Sequence, residues 1–332
     1  MKERAAVLSS RIRLARNLKD TRMPLKMNEE DCKYIRDKVK TIILNNRTDL
    51  EFQSLSDISE LDREVLAEQR CISKDLIRKY EISSFLTNEK KDLTIMINEE
   101  DQIRIQALSE GIDIWEAWTK ANEIDDLLDQ NLDYAYDSHF GYLTTCPTNT
   151  GTGLRASIMV HLPFLTMDNY IEKIASSIGR IGVAIRGLYG EGSESMGAIY
   201  QISNQMTTGE SEEDIIRKIR AIVTQLIYRE SVSRRKMIRN RKTEIEDKIF
   251  RAYGILKNSR ILDLKESMNE LSYLRIGVIL ELIDLDEKVL NDLAVLTQPA
   301  NIKKRIGKPS SESDLNIKRA EVFRNILSEQ EV

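Results

Sequence analysis

The chain has 332 residues, of which 41% are hydrophobic and 31% charged, so it can bury a core while keeping a charged surface. Its length suits one large domain and a smaller one, at roughly 100–200 residues per domain. Lys and Arg (50) nearly balance Asp and Glu (54) at a net charge of −4, which excludes a general binder of nucleic acid or other polyanions and makes any anion site local.

The chain opens with MKERAAVLSS, which lacks the apolar segment of a signal peptide. No later apolar run approaches the roughly 18–20 residues that span a bilayer. Cys32, Cys71 and Cys146 are widely spaced without a CxxC pair, so neither a disulfide framework nor a zinc site is indicated. We therefore expect a cytoplasmic protein without a membrane partner.

Strand-like runs fill the first two-thirds of the chain. They lie at 5–9, 92–98, 103–108, 141–145, 154–162, 181–189 and 197–204. Helical periodicity appears between some of them, at 28–46, 112–132 and 164–177. Because several strands are adjacent in sequence, the pattern predicts an α+β domain with a largely antiparallel sheet.

After about Ser211 the sequence becomes helical. One long helix is predicted from Glu212 to about Leu256, and only three glycines follow Gly209. Further helices are predicted at 263–284, 286–297 and 311–330, with Pro299 and Pro309 marking a loop between the last two. We predict a domain boundary between residues 228 and 229, with an all-α domain at 229–332.

The first candidate for chemistry is SSRIRLAR at 9–16. In a strand, Arg11 and Arg13 project to the same face because side chains alternate with a period of two. Two adjacent guanidinium groups suit the oxygens of a phosphate. The alternative is a solvated basic strand.

The second candidate is NEED at 98–101, followed by Gln102 and Arg104. Three adjacent carboxylates repel one another unless a cation, a metal or solvent screens them. The alternative is an acidic hairpin turn between LTIMI and IRIQ.

The third candidate is TTCPTNTGTGLRAS, at 144–157. Pro147, Asn149, Gly151 and Gly153 supply turn conformations, and Arg155 enters the next strand. The thiol of Cys146 would be reactive where positive charge lowers its pKa. The alternative is a turn with a packed cysteine.

The fourth candidate is RGLYGEGSES at 186–195, where glycines allow close backbone approach to a ligand and Glu191 lies at the tip. It fits neither GxxxxGK[ST] nor GxGxxG. With only two histidines in the chain, a His-rich metal site is excluded. The four segments together bring five arginines and two acidic groups to predicted strands and loops, which is the equipment that phosphoryl transfer needs.

In this order, SSRIRLAR, NEEDQIRIQ, CPTNTGTGLRA and RGLYGEGSE resemble the signatures of the ATP:guanido phosphotransferases, the phosphagen kinase family. The resemblance runs from about Val7 into the helical tail. Metabolite kinases of this family carry a helical domain before the SSR motif, whereas here only eight residues precede Ser9. A helical domain after the catalytic part is similar to the bacterial protein-arginine kinases, in which it mediates dimerisation and recognises phosphoarginine.

The resemblance implies ATP with Mg²⁺ as cofactor, the metal being held mainly by the phosphates and water, without a metal site of side chains. It implies that Glu100 is the catalytic base, that Glu191 is its partner on the substrate guanidinium, and that Cys146 lies near the guanidinium without forming a covalent intermediate. The implied ATP-binding residues are Ser9, Ser10, Arg11, Ile12, Arg13, Arg104, Arg155, Ala156, Ser157, Ile158, Met159, Arg186, Gly187, Leu188, Tyr189, Gly190 and Glu191.

Three segments depart from the family's pattern. Gln102 replaces the His that usually follows NEED, and Arg70 stands where protein-arginine kinases carry a His. The phosphoarginine pocket, usually RDxxRA, reads LNIKRA here: Leu315 and Asn316 replace Arg and Asp, while Arg319 and Ala320 remain. Loss of the charged fork should weaken phosphate recognition in that pocket.

The function implied by the resemblance is transfer of the ATP γ-phosphoryl group to arginine side chains of proteins. Such marking would direct proteins to a Clp-type protease or inactivate a heat-shock repressor in the stress response. The implied partners are protein substrates, a zinc-binding activator called McsA, a Clp ATPase and a second copy in a homodimer. Two alternatives stay open: a small-molecule kinase acting on free arginine, and a catalytically weak adaptor for arginine-rich partners.

Overall fold

The structure, a computed structural model, describes residues 6–187, 195–307 and 311–329. The chain forms two compact units. The first unit comprises Ser9–Ile158 and Ser203–Ala221, and the second comprises Met1–Leu8, Met159–Ile202 and Ile222–Val332. Across the described ranges, no helix is both long enough and apolar enough to cross a bilayer.

Ten strands occur in the described residues. They are β1 (Val7–Arg16), β2 (Leu50–Ser54), β3 (Ser84–Asn88), β4 (Leu93–Ile97), β5 (Ile103–Glu110), β6 (Tyr136–Asp137), β7 (Gly141–Tyr142), β8 (Leu154–His161), β9 (Val183–Gly187) and β10 (Ile199–Asn204). Eight form one sheet in the order β2-β3-β4-β5-β1-β8-β10-β9, and β6 pairs with β7. The pairs among β1 to β5 are antiparallel.

Helices cover most of the remaining chain. They are α1 (Glu29–Asn46), α2 (Glu60–Glu68), α3 (Lys74–Arg78), α4 (Ile114–Asp129), α5 (Pro163–Met167), α6 (Ile171–Gly179), α7 (Glu212–Asn258), α8 (Leu264–Ile279), α9 (Glu287–Leu296), α10 (Pro299–Ile306) and α11 (Glu312–Glu329). A mostly antiparallel sheet with helices, followed by a helical region, confirms the predicted α+β class.

The core of the first unit forms around β4 and β5. All five residues of β4 are buried, and β1 alternates, with Ile12 and Leu14 buried between less buried arginines. Helix α1 begins with a capping box between Asn28 and Asp31. It buries a stripe at helical spacing, Cys32, Ile35, Val39 and Ile43.

The core of the second unit is helical. It gathers apolar side chains from the later part of α7 and from α8, α9 and α11, among them Ile249, Leu271, Leu290 and Phe323. Near its middle, α7 departs from helical geometry at Arg241 (φ −139°, ψ 35°). The helix is otherwise continuous, as the sequence predicts.

Several features differ from the expectations: the strands β2 and β3 and the helices α2 and α3 were not predicted, and the helix predicted at 164–177 is divided into α5 and α6. The strand β2 was not predicted because it is an edge strand with polar Glu51 and Gln53 exposed, so its apolar signal is weak. The loop predicted around Pro299 is instead the helix α10, which buries Ala300 and Ile302. Proline at the first helical position is tolerated because that N–H has no partner within the helix.

Candidate active site

One face of the sheet in the first unit carries a set of arginines. In the register of β1 with β5, Arg13 lies opposite Gln106 and Ala15 lies opposite Arg104. Directly paired residues of an antiparallel sheet point to the same face, so Arg104 shares the face of Arg11 and Arg13. The structure therefore places Arg11 and Arg13 on one face of the sheet, as the alternation along SSRIRLAR predicts.

These guanidinium groups are close enough to repel one another. Burial, the largest cause, lowers the pKa of Arg11 to about 9, and the charges of Arg70, Arg155 and Arg104 lower it as well. Burial also holds the pKa of Arg13 well below its usual value, and the charges of Arg11, Arg155 and Arg104 lower this pKa further. The Nε of Arg13 is buried and finds no hydrogen-bond partner among the described residues. A polyanion would relieve this repulsion.

Two adjacent carboxylates of NEED balance one side of this cluster. Arg104 Nη1 donates to Glu99 Oε1 at 2.5 Å, and Arg104 Nη2 donates to Glu100 Oε2 at 2.8 Å. Glu99 is buried and also receives hydrogen bonds from Ser73 and, at its carbonyl, from Lys79. Glu100 keeps 36% of its side chain exposed, so of the two carboxylates it is the one that a substrate can reach.

The last acidic residue of NEED connects two predicted motifs. Buried Asp101 accepts at Oδ1 from Asn17 Nδ2 (2.8 Å) and from the backbone N–H of Thr145 (2.7 Å), next to Cys146. Gln102 accepts at Oε1 from the backbone N–H of Leu18 (2.6 Å). The glutamine thus holds the segment that follows β1 against this turn.

Cys146 lies in a tight turn and is half-buried. Its Sγ is 3.0 Å from Thr148 Oγ1, and its carbonyl accepts from Asn149 N–H (2.9 Å) and Thr144 Oγ1 (2.8 Å). These bonds fix the thiol on the loop surface of the first unit.

Arg16 supports the same loop and was not singled out from the sequence. Its guanidinium is buried, donates to both oxygens of Asp125 and contacts Glu212. Its Nη1 donates to the carbonyl of Thr152 at 2.8 Å. Arg16 therefore holds the turn that leads into Arg155. In the sequence, only its position in SSRIRLAR points to a role for Arg16. Its partner could not be inferred because Asp125 is 109 residues away.

The other predicted nucleotide residues of the first unit are distributed along β1 and β8. Ser10 Oγ donates to Gly111 O (2.7 Å), and Ser157 Oγ donates to Arg11 O (3.4 Å). Ala156 N–H donates to Asn204 Oδ1 (2.9 Å). Ile12 and Ile158 are core residues, and Ser9 is half-buried. On these two strands, buried apolar residues and hydrogen-bonded serines therefore lie next to the arginines.

The remaining predicted residues lie elsewhere. Met159 is buried in the second unit, and Arg186 is exposed near the end of β9, just before Gly187. Leu188, Tyr189, Gly190 and Glu191 lie outside the described residues. Across the described ranges, no group of three or more His, Cys, Asp or Glu residues is arranged to hold a metal ion.

The predicted phosphoarginine pocket contains a buried arginine that donates hydrogen bonds to main-chain carbonyls. Arg319 is 2% exposed, and it donates through Nε to Thr297 O and through Nη1 to Leu262 O, each at 2.9 Å. Its Nη1 also lies 2.5 Å from Asn316 Oδ1. Leu315 is half-buried and Ala320 is buried in the core. Arg319 thus ties together three segments of the second unit.

Comparison with known families fits this geometry. The family model of the ATP:guanido phosphotransferase C-terminal catalytic domain matches residues 33–233, and that of the protein-arginine kinase McsB C-terminal domain matches residues 242–332. The chain belongs to the ATP:guanido phosphotransferase family, and membership makes it an ATP-dependent phosphotransferase.

Relatives narrow the class to the protein-arginine kinases. That of Clostridium tetani is 44% identical over 322 residues, which cover 97% of this chain and 95% of the relative. That of Caldanaerobacter subterraneus subsp. tengcongensis is 41% identical over 333 residues, which cover 99% of each. The predicted resemblance to this branch is confirmed.

Solved structures support the fold. The duplicated taurocyamine kinase from Schistosoma mansoni with bound transition state analog components aligns with a TM-score of 0.60 and 27% identity over 68% of this chain. This chain spans 33% of that duplicated protein. Lombricine kinase aligns with a TM-score of 0.61 and 24% identity, over 70% of this chain and 67% of that one. The phosphagen-kinase-like fold is thereby confirmed.

Proposed function

We propose that this protein transfers the γ-phosphoryl group of ATP to a guanidinium nitrogen of arginine side chains in proteins. The observation that carries the proposal is the cluster of Arg11, Arg13, Arg104 and Arg155 beside a partly exposed Glu100. Family membership supplies the reaction class, and the relatives named protein-arginine kinase supply the substrate class.

The arginine cluster fits a triphosphate. The guanidinium groups of Arg11 and Arg13 lie close to the like charges of Arg155 and Arg104, so bound phosphate oxygens would restore favourable pairing and neutralise charge that develops during transfer. When bound, ATP supplies the transferred group, with Mg²⁺ held mainly by its phosphates and water. In the first unit, the residues that would hold the phosphates are Arg11, Arg13, Arg104 and Arg155, and Arg70 adds a further positive charge near Arg11. The family resemblance alone assigns Arg186 the same role.

Glu100 would act as the base. A protonated arginine, with a pKa above about 12, is a poor nucleophile. A carboxylate can hold the guanidinium in line with the γ-phosphate, and it can take up the proton that makes the arginine a poor nucleophile. Glu191 would hold the other side of the guanidinium, and half-buried Cys146 would position it without a covalent bond.

The wider setting follows by analogy with the family. We propose a cytoplasmic homodimer that is stimulated by the zinc-binding activator McsA. Phosphoarginine on its substrates would then direct them to a Clp ATPase or inactivate a heat-shock repressor under stress. The change from RDxxRA to LNIKRA, together with the main-chain bonds of Arg319, favours weakened phosphoarginine recognition in the C-terminal pocket.

The test is incubation of the full chain with Mg-ATP and casein, followed by mass spectrometry at a pH that preserves the N–P bond. We expect phosphoarginine on the protein, and we expect Glu100→Gln to lower its rate by about 100-fold or more, the scale of general-base catalysis. Exposed Glu213→Gln serves as the matched control. Phosphorylation of free arginine but of no protein would overturn the proposed substrate class.

A further inference from the structure

A short aromatic hairpin at residues 136–142 lies in the first unit. Strands β6 and β7 pair Tyr136 with Tyr142. Asp137 Oδ1 closes the turn between them by accepting from the backbone N–H groups of His139 (2.7 Å) and Phe140 (3.0 Å). Tyr136 and Phe140 are nevertheless 61% and 62% exposed. Two large rings exposed on so short a hydrogen-bonded turn indicate an interaction surface.

The hairpin is fixed to the loop of the candidate active site. The backbone N–H of Tyr142 donates to Gly151 O (2.7 Å), and the N–H of Gly151 donates back to Tyr142 O (3.2 Å). One residue further on, the carbonyl of Leu143 accepts from Asn17 Nδ2 (2.9 Å). Cys146 follows Tyr142 by four residues. The aromatic surface is therefore held at a set position relative to the thiol.

The surrounding sequence is acidic. Residues 121–154 contain six carboxylates, Glu123, Asp125, Asp126, Asp129, Asp133 and Asp137, and neither lysine nor arginine. In the structure, burial raises the pKa of Asp129, and the charges of Asp125, Asp126 and Asp133 raise it further against the opposing effect of Arg16. Such a concentration of one sign attracts a cationic partner.

The same segment already binds a guanidinium within the molecule. The Cζ of Arg16 lies 3.6 Å from the ring centroid of Tyr142, while its Nη2 is 2.6 Å from Asp125 Oδ2. An aromatic face combined with a carboxylate is thus a working guanidinium site here. The exposed rings of the hairpin offer the first half of that chemistry to solvent.

We propose that the hairpin 136–142 docks the cationic stretch of a polypeptide that flanks the accepting arginine. The inference rests on the proposed function and names how that site selects its substrate. Tyr136 and Phe140 stack against lysine or arginine side chains, while the acidic segment draws them in. Free arginine has no flanking residues to reach the hairpin, so the surface favours polypeptides over the free amino acid.

The test measures binding without catalysis. Fluorescence anisotropy of the full chain, without ATP, compares a labelled peptide whose single arginine is flanked by lysines with one flanked by glutamates. We expect Y136S/F140S to raise the Kd of the lysine-flanked peptide about tenfold, and F140S alone to have an intermediate effect. The control is Tyr34→Ser, which removes an exposed ring (49%) from α1 in the same unit and should leave the Kd unchanged.

An unchanged Kd in Y136S/F140S with an unchanged thermal midpoint would overturn the inference, as would equally tight binding of the glutamate-flanked peptide. A parallel assay for phosphoarginine on the lysine-flanked peptide separates the two proposals. Hairpin-dependent binding without phosphorylation would count against the proposed function and still support the hairpin as a surface for cationic peptides.

Discussion

Asp101 and Thr145 are joined by a hydrogen bond in which the backbone N–H of Thr145 donates to Asp101 Oδ1 at 2.7 Å, across 44 residues of sequence. Asp101 closes the NEED turn, and Thr145 precedes Cys146. The same oxygen accepts from Asn17 Nδ2, just beyond β1. One buried carboxylate oxygen thus fixes three segments relative to one another: the end of the arginine strand, the turn that carries Glu100 and the loop that carries the thiol.

Removal of this carboxylate should therefore affect both stability and activity. Asp101→Ala leaves the backbone N–H of Thr145 and one of the two amide N–H groups of Asn17 without an acceptor, at roughly 1–3 kcal/mol for each buried group. We expect a loss of about 2–4 kcal/mol in the free energy of unfolding, measured by urea denaturation, and at least a tenfold lower rate of phosphoarginine formation.

Asp101→Asn is the matched variant because it keeps one acceptor oxygen of the same shape. Its losses should be less than half of those of Asp101→Ala. If Asp101→Ala is destabilised but phosphorylates at the wild-type rate, the carboxylate has no part in positioning the site.

The arginine face could be predicted because it depends on local geometry. A strand places Arg11 and Arg13 on one face whatever surrounds it, and the glycines and proline of CPTNTGTG predict a turn by their own conformational preferences. The four motifs then identified the family. What the sequence established was therefore the chemistry of short segments and the order in which they occur.

The supporting contacts could not be predicted because they join distant segments. The partner of Arg16 is Asp125 on α4, and nothing near either residue indicates the pair. The pairing of Ala15 with Arg104 depends on the register of two strands nearly ninety residues apart. The helix α10 shows a different limit, since a proline that ends helices also begins them, and only packing of Ala300 and Ile302 decides between the two.

Burial and charge repulsion in the arginine cluster destabilise the folded chain, which leads to a second prediction. Folding lowers the pKa of Arg13, which means that its charge is less stable in the folded chain than in the unfolded one. Arg13→Met keeps much of the apolar stem and removes the charge. Without nucleotide we expect its thermal midpoint to rise by about 2–4 °C, as for a gain of about 1 kcal/mol.

Added Mg-ATP should raise the midpoint of the wild type and have little effect on that of Arg13→Met, in thermal melts of both proteins with and without nucleotide. Arg22→Met, at an exposed arginine of the same unit, should match the wild type in both conditions. A lower midpoint of Arg13→Met without nucleotide would show that the arginine stabilises the empty site.

Glu230 makes stability depend on pH. In the second unit it accepts from the backbone N–H groups of Phe164 and Leu165, each at 2.9 Å. Burial outweighs these bonds and raises its pKa from 4.5 to about 7. Because the folded chain holds this proton more tightly than the unfolded chain, the stabilising contribution is complete below pH 4.5 and is lost as the pH rises through about 7.

Urea denaturation from about pH 5 to about pH 8 tests this directly. Across that range the wild type should lose up to about 3 kcal/mol more than Glu230→Gln, which does not titrate. Glu213→Gln, at an exposed position, should keep the slope of the wild type. Equal slopes for the wild type and Glu230→Gln would mean that the two backbone bonds keep the buried carboxylate charged.

Comparison of alanine variants at Gly153 and Gly111 separates the effect of backbone strain from that of steric conflict. Both glycines are in the first unit, and their positive φ angles are nearly equal, +66° and +60°. A Cβ at Gly153 would lie 2.5 Å from Arg16 Nη1 and 2.6 Å from Ala15 O, whereas no described atom comes within 4 Å of one at Gly111. Both alanine variants pay about 1–2 kcal/mol for the left-handed backbone.

Gly153→Ala must in addition displace Arg16 or break the hydrogen bond that the backbone N–H of Ala15 donates to the carbonyl of residue 153 (3.0 Å). In urea denaturation we expect Gly153→Ala to lose about 2 kcal/mol more than Gly111→Ala, with phosphoarginine formation slowed at least tenfold in Gly153→Ala alone. Equal losses of stability and equal rates would mean that the loop moves aside freely. The close approach of this turn to Arg16 would then not determine where Arg155 begins its strand.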